Sequence, residues 1–207
     1  MNITISDIEK QLKNQPPKID TTKEAAVLIP IIKDKNQQLH LLFQVRSSNL
    51  TWQPGDVCFP GGSVEPNDAS PTQTAIRETV EELGILQDQI HIYGQLPDFW
   101  AVLGFKIYPI VGEITSLANI QLNPQEVEKI FTVPITWFID HPPIYGDIEI
   151  TQQPAKNFPL QLFSTQQQHW PQRSQRTLLF YQYQSYTIWG LTAQIIQTFL
   201  DTTKLAK

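Results

Sequence analysis

The sequence has a single cysteine, Cys58, among 207 residues, which excludes an internal disulfide framework and a cysteine-rich zinc site. It also lacks an excess of basic charge. Fifteen lysines and arginines against 20 aspartates and glutamates leave a net charge of −5. General affinity for nucleic acid needs a basic face to neutralise phosphates, so that class is excluded; a local basic pocket for one small anion stays open. No run approaches the ~20 apolar residues that span a bilayer. The opening MNITISDIEKQLKNQ has no apolar signal core, and the closing TKLAK carries no readable address. A cytoplasmic protein without membrane attachment is expected. His40, His91, His141 and His169 show no metal-binding spacing. Repeats and interdomain linkers are absent, so one domain over residues 1–207 is expected, with an ordinary globular composition.

What is present begins with a short helix expected at Ser6 to Lys13, followed by a Pro16-Pro17 break. Ala25 to Ile32 reads as a strand that Pro30 would confine to an edge or a bulge. Asp34-Lys35-Asn36 signals a turn, and Leu39 to Val45 is the returning strand of a hairpin. Ser47 to Pro71 is a long loop rich in Pro, Gly, Ser, Asn and Asp, a type that is often functional. Pro71 to Leu83 follows as a helix: Ser70 and Gln73 suit a capping box, Pro71 the first turn and Gly84 the C-terminal cap. Strands are expected at Ile90 to Leu96, Phe105 to Ile114 and Thr177 to Tyr183. Helical turns are expected at Asn123 to Ile130 and Val133 to Asp140, an exposed loop at Thr165 to Gln168, and a closing helix at Trp189 to Leu200. This order predicts an α/β or α+β domain.

On a helical wheel at about 100° per residue, Ile76, Val80 and Leu83 of the central helix share one side. Glu78, Glu81 and Glu82 share the other. Three carboxylates this close repel one another, and enclosing them demands protonation or a cation. A hard divalent ion with oxygen ligands would meet that demand. For an arbitrary helix the competing account is a solvated acidic face with Arg77 paired to Glu81.

The flanking residues decide between these accounts. Phe59-Pro60-Gly61-Gly62 precedes the helix, and Arg77-Glu78-Thr79-Val80-Glu81-Glu82 runs straight into Leu83-Gly84-Ile85. This pattern resembles the Nudix box. Gly62 is followed by five residues and then Asp68, where the box has Glu; eight residues then precede Arg77, one more than in the family, and Thr79 takes a usually apolar place. The resemblance implies a Nudix fold, a mixed sheet between helices with residues 61–85 as its loop-helix-loop. It also implies Mg²⁺ or Mn²⁺ held by Glu78 and Glu82, with Glu81 as further ligand or base and Arg77 orienting the glutamates. Gly61 and Gly62 would allow close backbone approach, with a carbonyl at Gly62 joining the metal shell. The activity implied is hydrolysis of a small nucleoside diphosphate derivative.

Upstream, Leu42 to Gly62 resembles the added signature of the coenzyme A pyrophosphatase branch of that family, with Arg46, Ser47, Gly55, Phe59, Pro60, Gly61 and Gly62 in register. Phe43 and Gln44 depart mildly. Thr51 stands where the signature has a second Arg. NPQEVEKIFTVP and WGLTA are similar to the same branch. The resemblance implies coenzyme A or acyl-coenzyme A as substrate, with Arg46 and Phe59 among its contacts. The runner-up is another derivative such as ADP-ribose, a nucleotide sugar or a dinucleotide, and a non-catalytic Nudix-like binding module is the alternative of a different class. Glu126 is an extra candidate for base or ligand, weighed against an ordinary exposed glutamate at a helix start. Asp98 reads as a turn residue, Phe99 and Trp100 as adenine stackers or packing residues, and Cys58 as a buried inert thiol. A homodimer is compatible with the sequence, and no residue pattern bears on it.

Overall fold

The computed structural model describes residues 23–100, 104–152, 154–162 and 172–205. The expected helix at Ser6 to Lys13 and loop at Thr165 to Gln168 lie outside them. Strands β1 (Glu24–Lys33), β2 (Leu39–Arg46), β3 (Val57–Cys58), β4 (Gly61–Ser63), β5 (Ile90–Gln95), β6 (Phe99–Trp100), β7 (Lys106–Ile114) and β8 (Val127–Pro134) form one eight-stranded sheet. Its central path runs β3-β2-β1-β7-β5, with β4 on β1, β6 on β7 and β8 on β2. Among the described strands only β1 and β7 pair in parallel, so the sheet is mixed. Strands β9 (Ile144–Gln152), β10 (Gln172–Tyr183) and β11 (Tyr186–Trp189) make a second, antiparallel sheet.

Helix α1 (Pro71–Leu83) packs on one face of the large sheet, over β1, β4 and β7, and buries Leu28, Leu42, Ala75, Leu83 and Ile110. The opposite face holds α2 (Ile135–Asp140) and α3 (Gly190–Thr202), with Phe43, Val133, Phe138, Tyr181 and Phe199 in its core. The layers are those of a Nudix fold.

Pro30 sits in the sheet's interior rather than at an edge. Beyond the β1–β4 pairing at Ala25 to Val27 and before the β1–β2 pairing at Ile31 to Lys33, β1 has no ladder partner on that side. Leu28 N points there, donating to Pro60 O at 2.8 Å. Two residues on, the missing N–H of Pro30 points the same way and leaves no ladder bond unmade. The helical turns expected at Asn123 to Ile130 are a second correction. Val127 N donates to Asn123 O at 2.8 Å, closing a turn, and the chain then extends as β8 against β2. Partner strand and register outweigh the local pattern there. The hairpin turn is as expected: Asp34 Oδ1 accepts from Asn36 N and Gln38 N, each at 2.8 Å.

Candidate active site on helix α1

Helix α1 begins and ends where its sequence signals place it. Ser70 Oγ accepts from Gln73 N at 3.2 Å, and Gly84 caps the C-terminus with φ 62°. A side chain at Gly84 would overlap the Gln121 carbonyl, so glycine is required twice over. The buried side of the helix differs from the wheel. Thr74, Ala75, Thr79, Glu82 and Leu83 are buried, while Ile76 and Val80 are only half-buried. Thr79 Oγ1 donates to Ala75 O at 2.6 Å, which satisfies the hydroxyl within the helix and lets this face approach the sheet. The rotation carries Glu82 inward to 3% exposure, whereas Glu81 stays exposed.

Arg77 is the hub of the acidic cluster. Its Nε donates to Asp68 Oδ1 at 3.1 Å and its Nη2 to Asp68 Oδ2 at 3.0 Å, a two-pronged pair. Nη1 reaches Glu78 Oε1 at 2.9 Å and Glu81 Oε2 at 3.3 Å. Asp68 also accepts from Glu65 N and Thr74 Oγ1. The Arg77 hydrogen bonds, then that of Glu65 N, hold the Asp68 carboxyl well below the usual carboxylate range. The aspartate and the inserted residue thus still deliver a carboxylate to the arginine.

Glu82 sits against β2 and β4. Its Oε1 accepts from Gln44 Nε2 at 2.8 Å and its Oε2 from Gly61 N at 2.9 Å. Burial pushes its carboxyl up to about 7; those two hydrogen bonds oppose the rise, and Glu78 and Glu126 add to it. Burial likewise raises Glu78, with Arg77 opposing and the Glu81 and Glu126 carboxylates adding. Glu126, in the turn before β8, therefore lies within electrostatic reach of both. The Glu78 carboxyl occupies the space over Gly62 that a Cβ there would fill. At Gly61 a Cβ would meet the backbone of Ala26 and Val27. Structure thus brings Glu78, Glu81, Glu82, Arg77, Gly61, Gly62 and Glu126 together.

Gln44 has the role that the sequence signal understated. A fully buried glutamine in the apolar strand LHLLFQV is the visible clue, and it positions the most buried carboxylate of the site. Its Oε1 is buried without a partner. Cys58, 3.6 Å from Gln44 Nε2, is raised to about 11 by burial with Glu82 adding and Arg46 opposing; an inert thiol results. Asp98 pairs with Lys106 at 2.8 Å, as befits a turn residue. Trp100 is exposed rather than packed.

Arg46 and Phe59 line a cavity of about 360 Å³ between β3, the start of α3 and the three-stranded sheet, and Glu78, Glu81, Glu82 and Glu126 do not line it. Thr51 is exposed and does not line it.

No three His, Cys, Asp or Glu side chains among the described residues form a ready-made metal cage. The donor set nonetheless fits a hard divalent cation. Its donors are all oxygens, and the cradle over Gly62 keeps the Glu78 carboxyl beside the β4 backbone. Burial and mutual repulsion leave Glu78 and Glu82 in need of positive charge. Mg²⁺ commonly takes only one or two carboxylates and completes its shell with water and substrate phosphate, so a preformed cage is unnecessary.

Known proteins agree with this architecture. A family model, the NUDIX domain, matches residues 22–145. The uncharacterized Nudix hydrolase NudL of Photorhabdus laumondii is 35% identical over 199 residues, 94% of this chain and 95% of that protein. The peroxisomal coenzyme A diphosphatase of Mus musculus is 36% identical over 132 residues, 64% of this chain and 55% of its own length. In fold, a MutT/nudix family protein of Enterococcus faecalis superposes with a TM-score of 0.51 at 14% identity, over 98% of this chain and 70% of that one. The chain belongs to the Nudix family and is a Nudix hydrolase, a diphosphatase of small nucleoside diphosphate derivatives. Within that family its relatives include coenzyme A diphosphatases. No helix among the described residues is long and apolar enough to cross a membrane.

Proposed function

We propose that this hydrolase cleaves the diphosphate of coenzyme A or acyl-coenzyme A, releasing 3′-phosphoadenosine 5′-phosphate and phosphopantetheine or its acyl form. The observation that carries the reading is the Leu42 to Gly62 signature, two of whose residues, Arg46 and Phe59, line one cavity. The similarity to the mouse coenzyme A diphosphatase supports it.

Glu78 and Glu82 would hold Mg²⁺ or Mn²⁺, with the Gly62 carbonyl and Glu81 as further ligands. When bound, the cation supplies charge neutralisation of the diphosphate and a lowered pKa for the attacking water. Arg77 keeps Glu78 and Glu81 turned toward each other and is itself anchored by Asp68. Gly61 N and Gln44 fix the Glu82 carboxylate without blocking close approach of the diphosphate to the β4 backbone. Glu81 and Glu126 are the candidates to accept the water's proton. The whole described chain works as one unit in this reading, because β3 and α3 share the cavity.

Thr51 favours a second reading, a different nucleoside diphosphate derivative, since a neutral hydroxyl replaces a guanidinium there. A panel of coenzyme A, acyl-coenzyme A, ADP-ribose, NADH and diadenosine polyphosphates with Mg²⁺ or Mn²⁺, with products identified by mass, separates the two. Release of 3′-phosphoadenosine 5′-phosphate from coenzyme A is expected. Its absence under conditions that cleave ADP-ribose transfers the assignment.

A further inference from the structure

We infer that the cavity between β3 and the three-stranded sheet binds a phosphate monoester on the nucleoside half of the substrate, and that Arg176 on β10 is the second guanidinium that holds it beside Arg46. The identity of the ligand rests on the coenzyme A reading; the anion site itself does not.

Two arginines from different sheets line this one cavity. Arg176 pairs with Ile148 across β9–β10, which puts it on the same face as Leu178, Phe180 and, across the hairpin, Trp189. That face is turned away from Tyr181 and Ile188, which are buried in the core. Among the described residues Arg176 has no ion pair. Arg46 donates through Nη2 to Trp52 O at 3.2 Å, but its Nε is buried without a partner. Among the described residues the one carboxylate on the cavity, Asp56, already accepts from Trp189 Nε1 at 3.4 Å. The first turn of α3, Gly190 to Thr192, adds backbone N–H groups that no helical carbonyl can satisfy.

Two guanidinium groups against one carboxylate leave the cavity positive. Most of its remaining walls, Phe59, Leu178, Trp189 and Ile195 among them, are apolar and strengthen the field of those charges, with Gln53 and Thr192 as further polar lining. Planar donor forks of this kind recognise phosphate in preference to a neutral group. The aromatic walls suit a base lying alongside, and a volume of about 360 Å³ is within the range of small-ligand pockets. The anion held here is not the scissile diphosphate. Glu78, Glu81, Glu82 and Glu126 do not line the cavity, and Cys58 and Gln44 stand between it and Glu82. A substrate using both places carries a second phosphate apart from its diphosphate. Arg176 also accounts for the tolerance of Thr51: the second cation comes from a strand beyond the residues that the NUDIX domain matches.

The test is calorimetric binding of adenosine 3′,5′-bisphosphate and of adenosine 5′-monophosphate to the metal-free wild-type chain, Arg176→Gln and Arg176→Lys. Wild type is expected to prefer the bisphosphate. Arg176→Gln should bind it about 10- to 100-fold more weakly, the range for a hydrogen bond to a charged group, with monophosphate affinity and Tm unchanged. Arg176→Lys should retain most of the preference, which separates charge from packing. No preference in wild type, or equal bisphosphate affinity in wild type and Arg176→Gln, overturns the inference. A parallel measurement of kcat/KM on coenzyme A and 3′-dephospho-coenzyme A should show Arg176→Gln impaired on the first alone. Should wild type hydrolyse neither but keep the bisphosphate preference, the coenzyme A reading falls and the anion site stands.

Discussion

On one face of the large sheet, a single guanidinium lies within reach of four carboxylates: Arg77 stands 2.9 to 3.9 Å from Asp68, Glu78, Glu81 and Glu65. On the other face, Phe43 stacks on Phe59 and Phe131 with centroids 4.9 and 5.5 Å apart, and Phe131 lies parallel to Tyr186 at 3.7 Å. The first arrangement stores unfavourable charge that a ligand can relieve; the Phe43 cluster removes apolar area from water. The difference teaches which substitutions should separate activity from stability. Changes under α1 should cost turnover, and changes in the Phe43 cluster should cost the fold.

The largest effect is expected at Glu82. Glu82→Gln should lower kcat about 10³-fold, the scale of losing a group essential to charge stabilisation. It should not lower the stability of the metal-free protein at neutral pH. Burial raises the Glu82 carboxyl to about 7, so the folded chain keeps a proton that the unfolded chain releases near the ordinary glutamate value. The Glu82 contribution to metal-free stability is therefore greatest below that ordinary value. It falls as pH rises and has lost its full share once pH passes about 7, roughly 3 kcal/mol in all. Thermal melts of chelated protein from pH 4 to 9 should show this slope in wild type and a flatter one in Glu82→Gln. A wild-type rate in the variant would break the comparison at its strongest point.

Phe43→Ala tests the opposite face. Removing a ring packed against Phe59, Phe131 and Phe138 should cost about 3–5 kcal/mol in urea unfolding, with kcat per folded molecule preserved. A drop in that kcat would mean that the aromatic face shapes the chemistry directly.

Gly61 and Gly62 sharpen the contrast within two residues. A Cβ at Gly62 meets only the far end of the Glu78 side chain, which can swing aside, whereas at Gly61 it meets fixed β1 backbone. Gly62→Ala is expected to melt near the wild-type temperature and to lose about 10²-fold in kcat, because a displaced carboxylate no longer meets the reacting group. Gly61→Ala should fail to fold stably. If Gly62→Ala is fully active, the cradle plays no part in catalysis.

The box was legible because its signals are local. Pro71, Ser70 and Gly84 bracket the helix, and the spacing of Arg77, Glu78, Glu81 and Glu82 puts them on adjacent turns. Which side of that helix is buried was not legible. A wheel counts apolarity and favours Ile76 and Val80, while Thr79 buries by closing a hydrogen bond inside its own helix. The segment from Asn123 to Ile130 misled for a related reason: VEKI has a helical appearance, and the pairing with β2 that makes it a strand involves residues about 85 positions away. Pro30 was tolerable only because two pairings on one side of β1 leave a gap. Arg176 gave no signal at all. Its partners on the cavity, Arg46, Asp56 and Trp189, are distant in sequence or belong to another strand, so only the folded chain puts them together.

The smallest effect is expected at Asp68, which touches no candidate ligand position and acts through Arg77. Asp68→Asn keeps the shape but removes the charge that anchors the guanidinium, freeing Arg77 to follow Glu78 and Glu81. A loss of about tenfold in kcat/KM is expected, as for partners that orient metal-binding groups. The pH dependence has the sign opposite to that of Glu82. Arg77 holds the Asp68 carboxyl below its ordinary range, so the pair stabilises the fold above that range. The contribution disappears as acid drives pH down through the depressed folded value. Melting temperatures of wild type and Asp68→Asn should therefore differ at neutral pH and converge in acid. Parallel curves at every pH would show that Asp68 contributes through its hydrogen bonds to Glu65 N and Thr74 alone, and that Arg77 needs no charged anchor to organise the glutamates.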